Sequence, residues 1–116
     1  NAVYPFSTVP YNIGSHYNNS TYRFTAPIAG RYMFGYQLLT NNSGSRHLSY
    51  LRINGSSAYV NSQVYECSAA SEDYNDAQIN TILNLSVNDY VDVYIGTGNL
   101  YNSAAGQNKF YGSLLG

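Results

Sequence analysis

The segment GRYMFGY, residues 30–36, places an aromatic ring at every second position after Gly30. A β-strand directs alternate side chains to opposite faces, so Tyr32, Phe34 and Tyr36 share one face. Rings in a row on one face of a sheet need a second layer to cover them, because they would otherwise remain in water. The segment therefore predicts an all-β protein built from two stacked sheets.

The composition is that of a small domain with few charges. The 116 residues, which we interpret as one domain over residues 1–116, are 9% charged and 16% aromatic, with a formal net charge of −1. So few basic residues argue against nucleic acid or an anionic membrane surface as partners. No apolar run reaches the roughly 18 residues of a membrane-spanning helix, so we expect no membrane insertion. Since the chain opens at Asn1, we expect a C-terminal fragment of a longer fibre or stalk protein.

Apolar and polar residues alternate along much of the chain, and helical periodicity is missing. We expect strands over residues 21–24, 28–40, 47–53, 57–66, 77–87, 90–95 and 109–115, with short extended pieces at 3–6 and 9–13. In the segment 77–87, the side chains expected to point inward are Ile79, Thr81, Leu83, Leu85 and Val87. Asn54-Gly55 is a strong signal for a two-residue hairpin turn. This spacing of strands and turns predicts roughly eight to ten strands in a sandwich or jelly roll.

Eight residues near the amino terminus form a specific spaced pattern, namely Phe6, Asn12, Tyr17, Phe24, Gly30, Tyr32, Phe34 and Tyr36. This pattern resembles the signature of the globular head domain of complement C1q and its relatives. The last predicted strand is also similar to the family, which carries Phe-x-Gly-x-Leu where this chain has Phe110, Gly112 and Leu114. The resemblance spans nearly the whole chain. It implies a ten-stranded jelly-roll sandwich of two antiparallel sheets, related to the tumour necrosis factor fold, with these residues in its core.

The resemblance also implies a tight homotrimer that often caps a fibrous stalk, with no enzymatic activity and no required cofactor. Some relatives hold calcium near the trimer apex with acidic residues from the loop before the long late strand. Glu72, Asp73 and Asp76 lie in the corresponding loop, which we expect over residues 67–76. Carboxylates are the hard oxygen ligands that calcium prefers. The loop is therefore a candidate calcium site, and the alternative interpretation is a solvated acidic loop.

Aromatic residues are more numerous than the inter-sheet core of one small sandwich accommodates. Tyrosine combines apolar area with a hydrogen-bonding hydroxyl, which suits protein interfaces. We therefore expect the subunit interface of the trimer to include Met33, Tyr50, Tyr59, Tyr65, Ile82, Tyr90 and Tyr94. The alternative is that single exposed tyrosines have no special role, since such residues are ordinary on protein surfaces.

A surface rich in Asn, Ser, Thr and Tyr with few charges is typical of fibre tips, and the stretch FTAPIAGRYMF resembles family members from viruses, bacteriophages and marine invertebrates. We interpret the chain as a receptor-binding or adhesin head at the tip of a viral or phage fibre, on the virion surface. It would bind a cell-surface receptor or glycan through outer loops, at residues Asn41, Asn42, Ser43, Tyr101, Asn102 and Gln107. Two alternatives stay open: a trimerisation cap of a stalk without its own ligand, and a secreted, extracellular recognition or signalling module.

An enzyme is the poorest fit to this sequence. His16 and His47 lie in polar contexts without a catalytic motif, and the single cysteine, Cys67, has no basic residue of a known motif beside it. Asp89 and Asp92 straddle a predicted turn and a strand start, where we expect turn formation and a solvated outer face. The sequence therefore predicts a binding module.

Overall fold

The computed structural model describes residues 2–6, 9, 16–40, 46–56, 64–68, 75–97 and 108–116. This part of the chain contains no helix, and hence no helix that could span a membrane. Its strands are β1 (Ala2–Val3), β2 (Tyr17–Asn18), β3 (Arg23–Thr25), β4 (Gly30–Thr40), β5 (Arg46–Ile53), β6 (Val64–Ser68), β7 (Asn75–Leu85), β8 (Tyr90–Thr97) and β9 (Lys109–Leu114). The predicted all-β class is confirmed.

The strands form two antiparallel sheets. The first sheet has the order β2-β3-β8-β5-β6, and β1 also pairs with β8. Strand β8 accommodates both neighbours on one edge because β3 pairs with its first residues and β1 with Tyr94 and Ile95. The second sheet has the order β7-β4-β9. These two stacked sheets confirm the predicted sandwich.

Strand β4 is the centre of the second sheet and carries the aromatic row. It pairs with β7 along its whole length and with β9 from Tyr32 to Gln37. Tyr32, Phe34 and Tyr36 are 1%, 0% and 1% exposed. Met33, between them, points away from the core and is 39% exposed. The period of two in the sequence is therefore the in–out alternation of this strand.

The core between the sheets is built around a cluster of aromatic rings. The rings of Phe34 and of Phe24 from the first sheet meet edge to face, with 5.1 Å between their centroids, and Phe34 stacks on Phe110 from β9 at 5.9 Å. Edge-to-face and offset contacts at this distance are favourable in addition to the area they bury. The other buried apolar side chains are Phe6, Tyr17, Ala26, Tyr32, Tyr36, Leu38, Leu51, Ile79, Leu83, Leu85, Val91 and Val93.

Two of the core tyrosines reach polar partners with their hydroxyl groups. The Tyr36 hydroxyl shares a hydrogen bond of 2.7 Å with the hydroxyl of Ser49, a fully buried residue of the opposite sheet. The Tyr32 hydroxyl donates to the carbonyl oxygen of Ile28 at 2.7 Å. Because a buried hydroxyl without a partner is costly, these bonds are what allow tyrosine at two core positions.

The predicted hairpin turn at Asn54-Gly55 is confirmed. Both residues have positive φ, 54° and 75°, and the Ser56 amide donates to the Ile53 carbonyl at 3.0 Å. Positive φ at both central residues is the geometry of the type I′ turn, which matches the twist of the strands it joins. Asparagine and glycine are the residues that adopt this conformation at the least cost.

Three sequence predictions about strand ends need correction. Strand β7 ends at Leu85, so Val87 lies in the following turn and is 54% exposed rather than inward. Leu114, expected in the core, stands at the end of β9 and is 43% exposed. Strand β7 begins at Asn75, so Asp76 belongs to the strand and not to the preceding loop. Asn12 of the amino-terminal pattern lies outside the described residues.

We expect Gly112→Ala to lower the free energy of unfolding by about 2 kcal/mol, because overpacking a tight core contact strains its surroundings. An added Cβ at Gly112 would lie 2.6 Å from two ring carbons of Phe34, whose ring is enclosed on all sides. Urea unfolding followed by circular dichroism measures the change.

The matched control is Gly30→Ala in the same sheet. Its Cβ would lie 3.0 Å from Leu114 Cδ1, the end of a half-exposed side chain that can move aside. We expect this variant to stay within about 0.5 kcal/mol of the parent protein. Equal losses for the two variants would contradict the tight packing of Phe34 on β9.

Candidate functional site

The outer face of the second sheet, made by the residues of β4, β7 and β9 that point away from the core, has an apolar centre. Met33 and Ile82 are direct partners across β4 and β7. They are 39% and 59% exposed, which is unusual for large apolar side chains placed side by side. We call this surface the β4 outer face. Its centre therefore lacks cover among the described residues of the protein.

Tyr111 extends this apolar centre across all three strands. Gly35 lies opposite Tyr111 on one side and Asn80 on the other. The Tyr111 ring lies so close over Gly35 that a Cβ there would be 2.3 Å from the ring carbon Cζ. The Tyr111 hydroxyl donates a hydrogen bond to Asn80 Oδ1. Glycine at position 35 thus lets one aromatic ring cross from β9 to β7 and present a flat face outward.

Polar residues stand at both ends of the β4 outer face. Gln37 pairs with Gln78 and Lys109 at one end, and Arg31 pairs with Asn84 at the other. An apolar centre with aromatic rings, surrounded by a polar and charged rim, is the usual anatomy of a protein–protein interface. The arrangement gives this face the chemistry of a contact surface.

A cleft of about 620 Å³ adjoins the β4 outer face beside β9 and shares Met33 and Tyr111 with it. Its other lining residues are His16, Phe24, Pro27, Ile28, Tyr32, Gly112, Ser113 and Leu114. Since most of the lining is apolar, the cleft is suited to apolar side chains and extends the apolar surface around the edge of β9.

The outer face of the first sheet has a different character, because its tyrosines are already covered. The guanidinium carbon of Arg23 lies 4.0 Å from the ring centroid of Tyr90, and that of Arg52 lies 4.3 Å from the ring centroid of Tyr94. Tyr50 packs beside Tyr94 at 5.6 Å between centroids. A cation over an aromatic face is attracted to its electron density, so these stacks are favourable. All five side chains are partly buried.

The prediction of a solvated outer position for Asp92 was wrong. Asp92 is 1% exposed, and its two carboxylate oxygens accept bonds of 2.8 and 2.9 Å from Nε and an Nη of Arg52. The Asp92 carboxylate raises the pKa of Arg52 above its usual value. These two hydrogen bonds compensate the carboxylate for the loss of its hydration. The stacking of Arg52 on Tyr94 covers one face of the guanidinium group.

The expected interface residues therefore lie in two groups. Met33 and Ile82 point outward from the second sheet, whereas Tyr50, Tyr90 and Tyr94 point outward from the first. Tyr59 and the side chain of Tyr65 lie outside the described part. The β4 outer face also includes Tyr111, which was not among the residues expected at the interface. Its position next to the core residue Phe110 on an alternating strand was the available signal.

The residues expected to bind a receptor or calcium fall in loops that the structure does not describe. The undescribed residues are Asn41, Asn42, Ser43, Glu72, Asp73, Tyr101, Asn102 and Gln107. The backbone of Asp76 is described within β7, but its side chain is not. Among the described residues, no three His, Cys, Asp or Glu side chains form a group suited to a metal ion. The loop sites therefore stay predictions.

Comparison with known proteins identifies relatives over nearly the whole chain. The family model for the C1q domain matches residues 1–115. Complement C1q tumor necrosis factor-related protein 3 of Homo sapiens and the protein of the same name of Mus musculus are each 29% identical over 110 residues. These matches cover 95% of this chain and 43% of each relative, so the chain spans less than half the length of these curated relatives.

A solved structure has the same fold. The globular domain of zebrafish complement 1qA protein is similar with a TM-score of 0.56 and 16% identity, covering 86% of this chain and 71% of that chain. The spaced aromatic residues, the two antiparallel sheets and the family match agree with one another. The protein therefore belongs to the C1q domain family.

Proposed function

We propose that this protein is a non-enzymatic, extracellular recognition module that works as a homotrimer assembled through the β4 outer face. The observation that carries the proposal is the exposed Met33–Ile82 pair beside the flat ring of Tyr111. The relatives named for complement and tumour necrosis factor support an extracellular role. Loops at the ends of the rigid sandwich would hold the ligand.

Burial of the apolar centre is the driving force for assembly. Met33 and Ile82 gain free energy when a neighbouring subunit removes them from water, at roughly 25 cal/mol for each Å² of apolar surface. The adjoining cleft supplies concave surface for the neighbour's side chains. When one surface packs against a different surface of the next copy, the contacts can close into a ring, and a ring of three is the assembly that the family resemblance implies.

The first sheet's outer face is the weaker candidate for this contact. The ring of Tyr90 is covered by Arg23, and that of Tyr94 by Arg52. A partner at this face would have to displace these guanidinium groups or contact only their edges. The β4 outer face needs no such displacement, because Ile82 is already 59% exposed.

The proposed ligand is a cell-surface receptor or glycan. Few charges and many tyrosine, asparagine and serine residues suit contact with sugars, whose rings stack on aromatic faces and whose hydroxyls pair with amides. A viral or phage fibre tip is the setting that the sequence features favour, and calcium bound by Glu72, Asp73 and Asp76 would be an accessory there. The names of the curated relatives favour the second candidate, a secreted module of animal origin.

We expect Ile82→Glu and Met33→Glu each to convert the trimer into monomer, because three buried carboxylates would meet an apolar contact. Size-exclusion chromatography with light scattering reports the mass. One copy is 12.8 kDa, so a trimer is three times 12.8, or about 38 kDa.

The matched control is Thr25→Glu, an exposed strand position paired with Tyr90 on the first sheet. We expect it to stay trimeric. A monomeric parent protein at micromolar concentration, or trimers that survive both glutamates, would contradict assembly through the β4 outer face. Circular dichroism of each variant separates dissociation from unfolding.

We expect Tyr101→Ala to weaken glycan binding by roughly tenfold or more, while Tyr101→Phe keeps most of the affinity, because the ring would supply the contact. Binding of the trimer to a glycan panel and to host cells measures both variants. If the alanine variant binds like the parent, Tyr101 does not belong to the site. A trimer that binds no glycan and no cell supports a cap without its own ligand.

A further inference from the structure

Two turns at one end of the sandwich are joined through the side chain of Asn54. The Asn54 Nδ2 group donates to Asp89 Oδ1 at 2.9 Å, and Asn54 Oδ1 accepts from the Tyr90 amide at 3.0 Å. The Asn54 backbone amide also donates to the Tyr90 carbonyl at 2.8 Å. Both ends of the side-chain amide are therefore held by the turn that connects β7 to β8.

Asp89 is held in turn by its own loop. Its second carboxylate oxygen accepts from the Ser86 amide at 2.8 Å, and its backbone amide donates to the Ser86 carbonyl at 3.1 Å. The hydrogen bond from Asn54 is the main cause that lowers the pKa of Asp89 below its usual value, and the hydrogen bond from the Ser86 amide adds to this effect. The carboxylate is thus charged at neutral pH and fixed as an acceptor for the Asn54 amide.

Asparagine followed by glycine is chemically reactive in a flexible chain. The Gly55 backbone nitrogen attacks Asn54 Cγ and forms a new N–Cγ bond. The Cγ–Nδ2 bond breaks, and ammonia leaves with the proton of the Gly55 amide. Water then adds to one carbonyl of the five-membered imide and opens it to aspartate or isoaspartate. The reaction needs no other reagent, and glycine permits it because no Cβ obstructs the attack.

The folded structure opposes this reaction at Asn54. For the imide to close, Cγ has to turn onto the following peptide nitrogen, which requires the side-chain amide to leave both Asp89 and the Tyr90 amide. The positive φ values of Asn54 and Gly55 fix the intervening peptide within the type I′ turn. The reaction rate should then equal the rate in an open chain multiplied by the small fraction of molecules in which this junction is open.

We propose that Asn54 is a latent deamidation site, kept closed by Asp89 and the Tyr90 amide. Deamidation replaces the donor Nδ2 with a carboxylate oxygen that faces Asp89 Oδ1 across the former hydrogen bond. Two carboxylates at that separation repel each other and leave no donor between them. The product therefore weakens the junction between the β5–β6 turn and the β7–β8 turn, although the two bonds between residue 54 and Tyr90 remain. Local opening of this junction promotes the change.

Incubation at pH 7.4 and 37 °C, with peptide mapping by mass spectrometry, measures the rate at Asn54. The reference is a synthetic peptide of residues 51–57. We expect the folded protein to react at least roughly tenfold more slowly than the peptide, a ratio of two rates that corresponds to about 1.4 kcal/mol. Equal rates in a protein that circular dichroism shows to be folded would overturn the proposal.

Substitutions at Asp89 test the cause of protection. Asp89→Ala removes the acceptor for Asn54 Nδ2, and we expect its rate to rise at least about fivefold above the parent's. Asp89→Asn keeps an amide oxygen that can accept from Asn54, so we expect the smaller rise. If neither variant reacts faster than the parent, Asp89 does not protect the site. Equal rises in both variants would show that the oxygen accepting from Asn54 Nδ2 is not the cause of the protection.

Paired substitutions test the consequence, independently of the slow reaction. Asn54→Asp reproduces the deamidated side chain, and we expect it to lower the urea midpoint at pH 7.4. The double variant Asn54→Asp/Asp89→Asn exchanges donor and acceptor across the same contact and should recover most of the loss. A single variant as stable as the parent, or a double variant no more stable than the single, would overturn the proposed repulsion.

Discussion

The fold depends on the enclosure of three rings on one face of β4. Tyr32, Phe34 and Tyr36 are buried between two pairing strands and the opposite sheet. Because side chains alternate, a slip of one residue would expose all three rings at once. This penalty fixes the register of β7 and β9 on β4. It also decides which residues remain outside, so the β4 outer face follows from the same constraint as the core.

Two glycines let aromatic rings cover both faces of the β4–β9 pair. On the inner face Phe34 lies opposite Gly112, and on the outer face Tyr111 lies opposite Gly35. In each pair the ring occupies the space where a Cβ of the glycine would stand. The rings recover packing that glycine lacks in a strand. The inner ring helps close the core, while the outer ring forms part of the β4 outer face.

Features set by local periodicity were accessible from the sequence, whereas those set by distant pairing were not. The rings of β4 and the Asn54-Gly55 turn depend on neighbouring residues, and both were predicted. Asp92 was misjudged because its partner Arg52 lies 40 positions earlier in the chain, where no local pattern marks it. Val87 was wrongly predicted to point inward because apolar and polar residues continue to alternate in the sequence beyond Leu85. There Asp89 binds the Ser86 amide and turns the chain out of the strand.

The two outer faces of the sandwich differ in how well their side chains are covered by one another. On the first sheet, arginines lie over tyrosines and Arg52 neutralises Asp92, so the side chains of one copy satisfy one another. On the second sheet, Met33 and Ile82 have no comparable cover among the described residues. A monomer that had to remain soluble would gain from polar side chains at these two positions at no cost to β4, since both point away from the core. Their apolar character is therefore not a requirement of the fold, and the proposed assembly through this face would account for it.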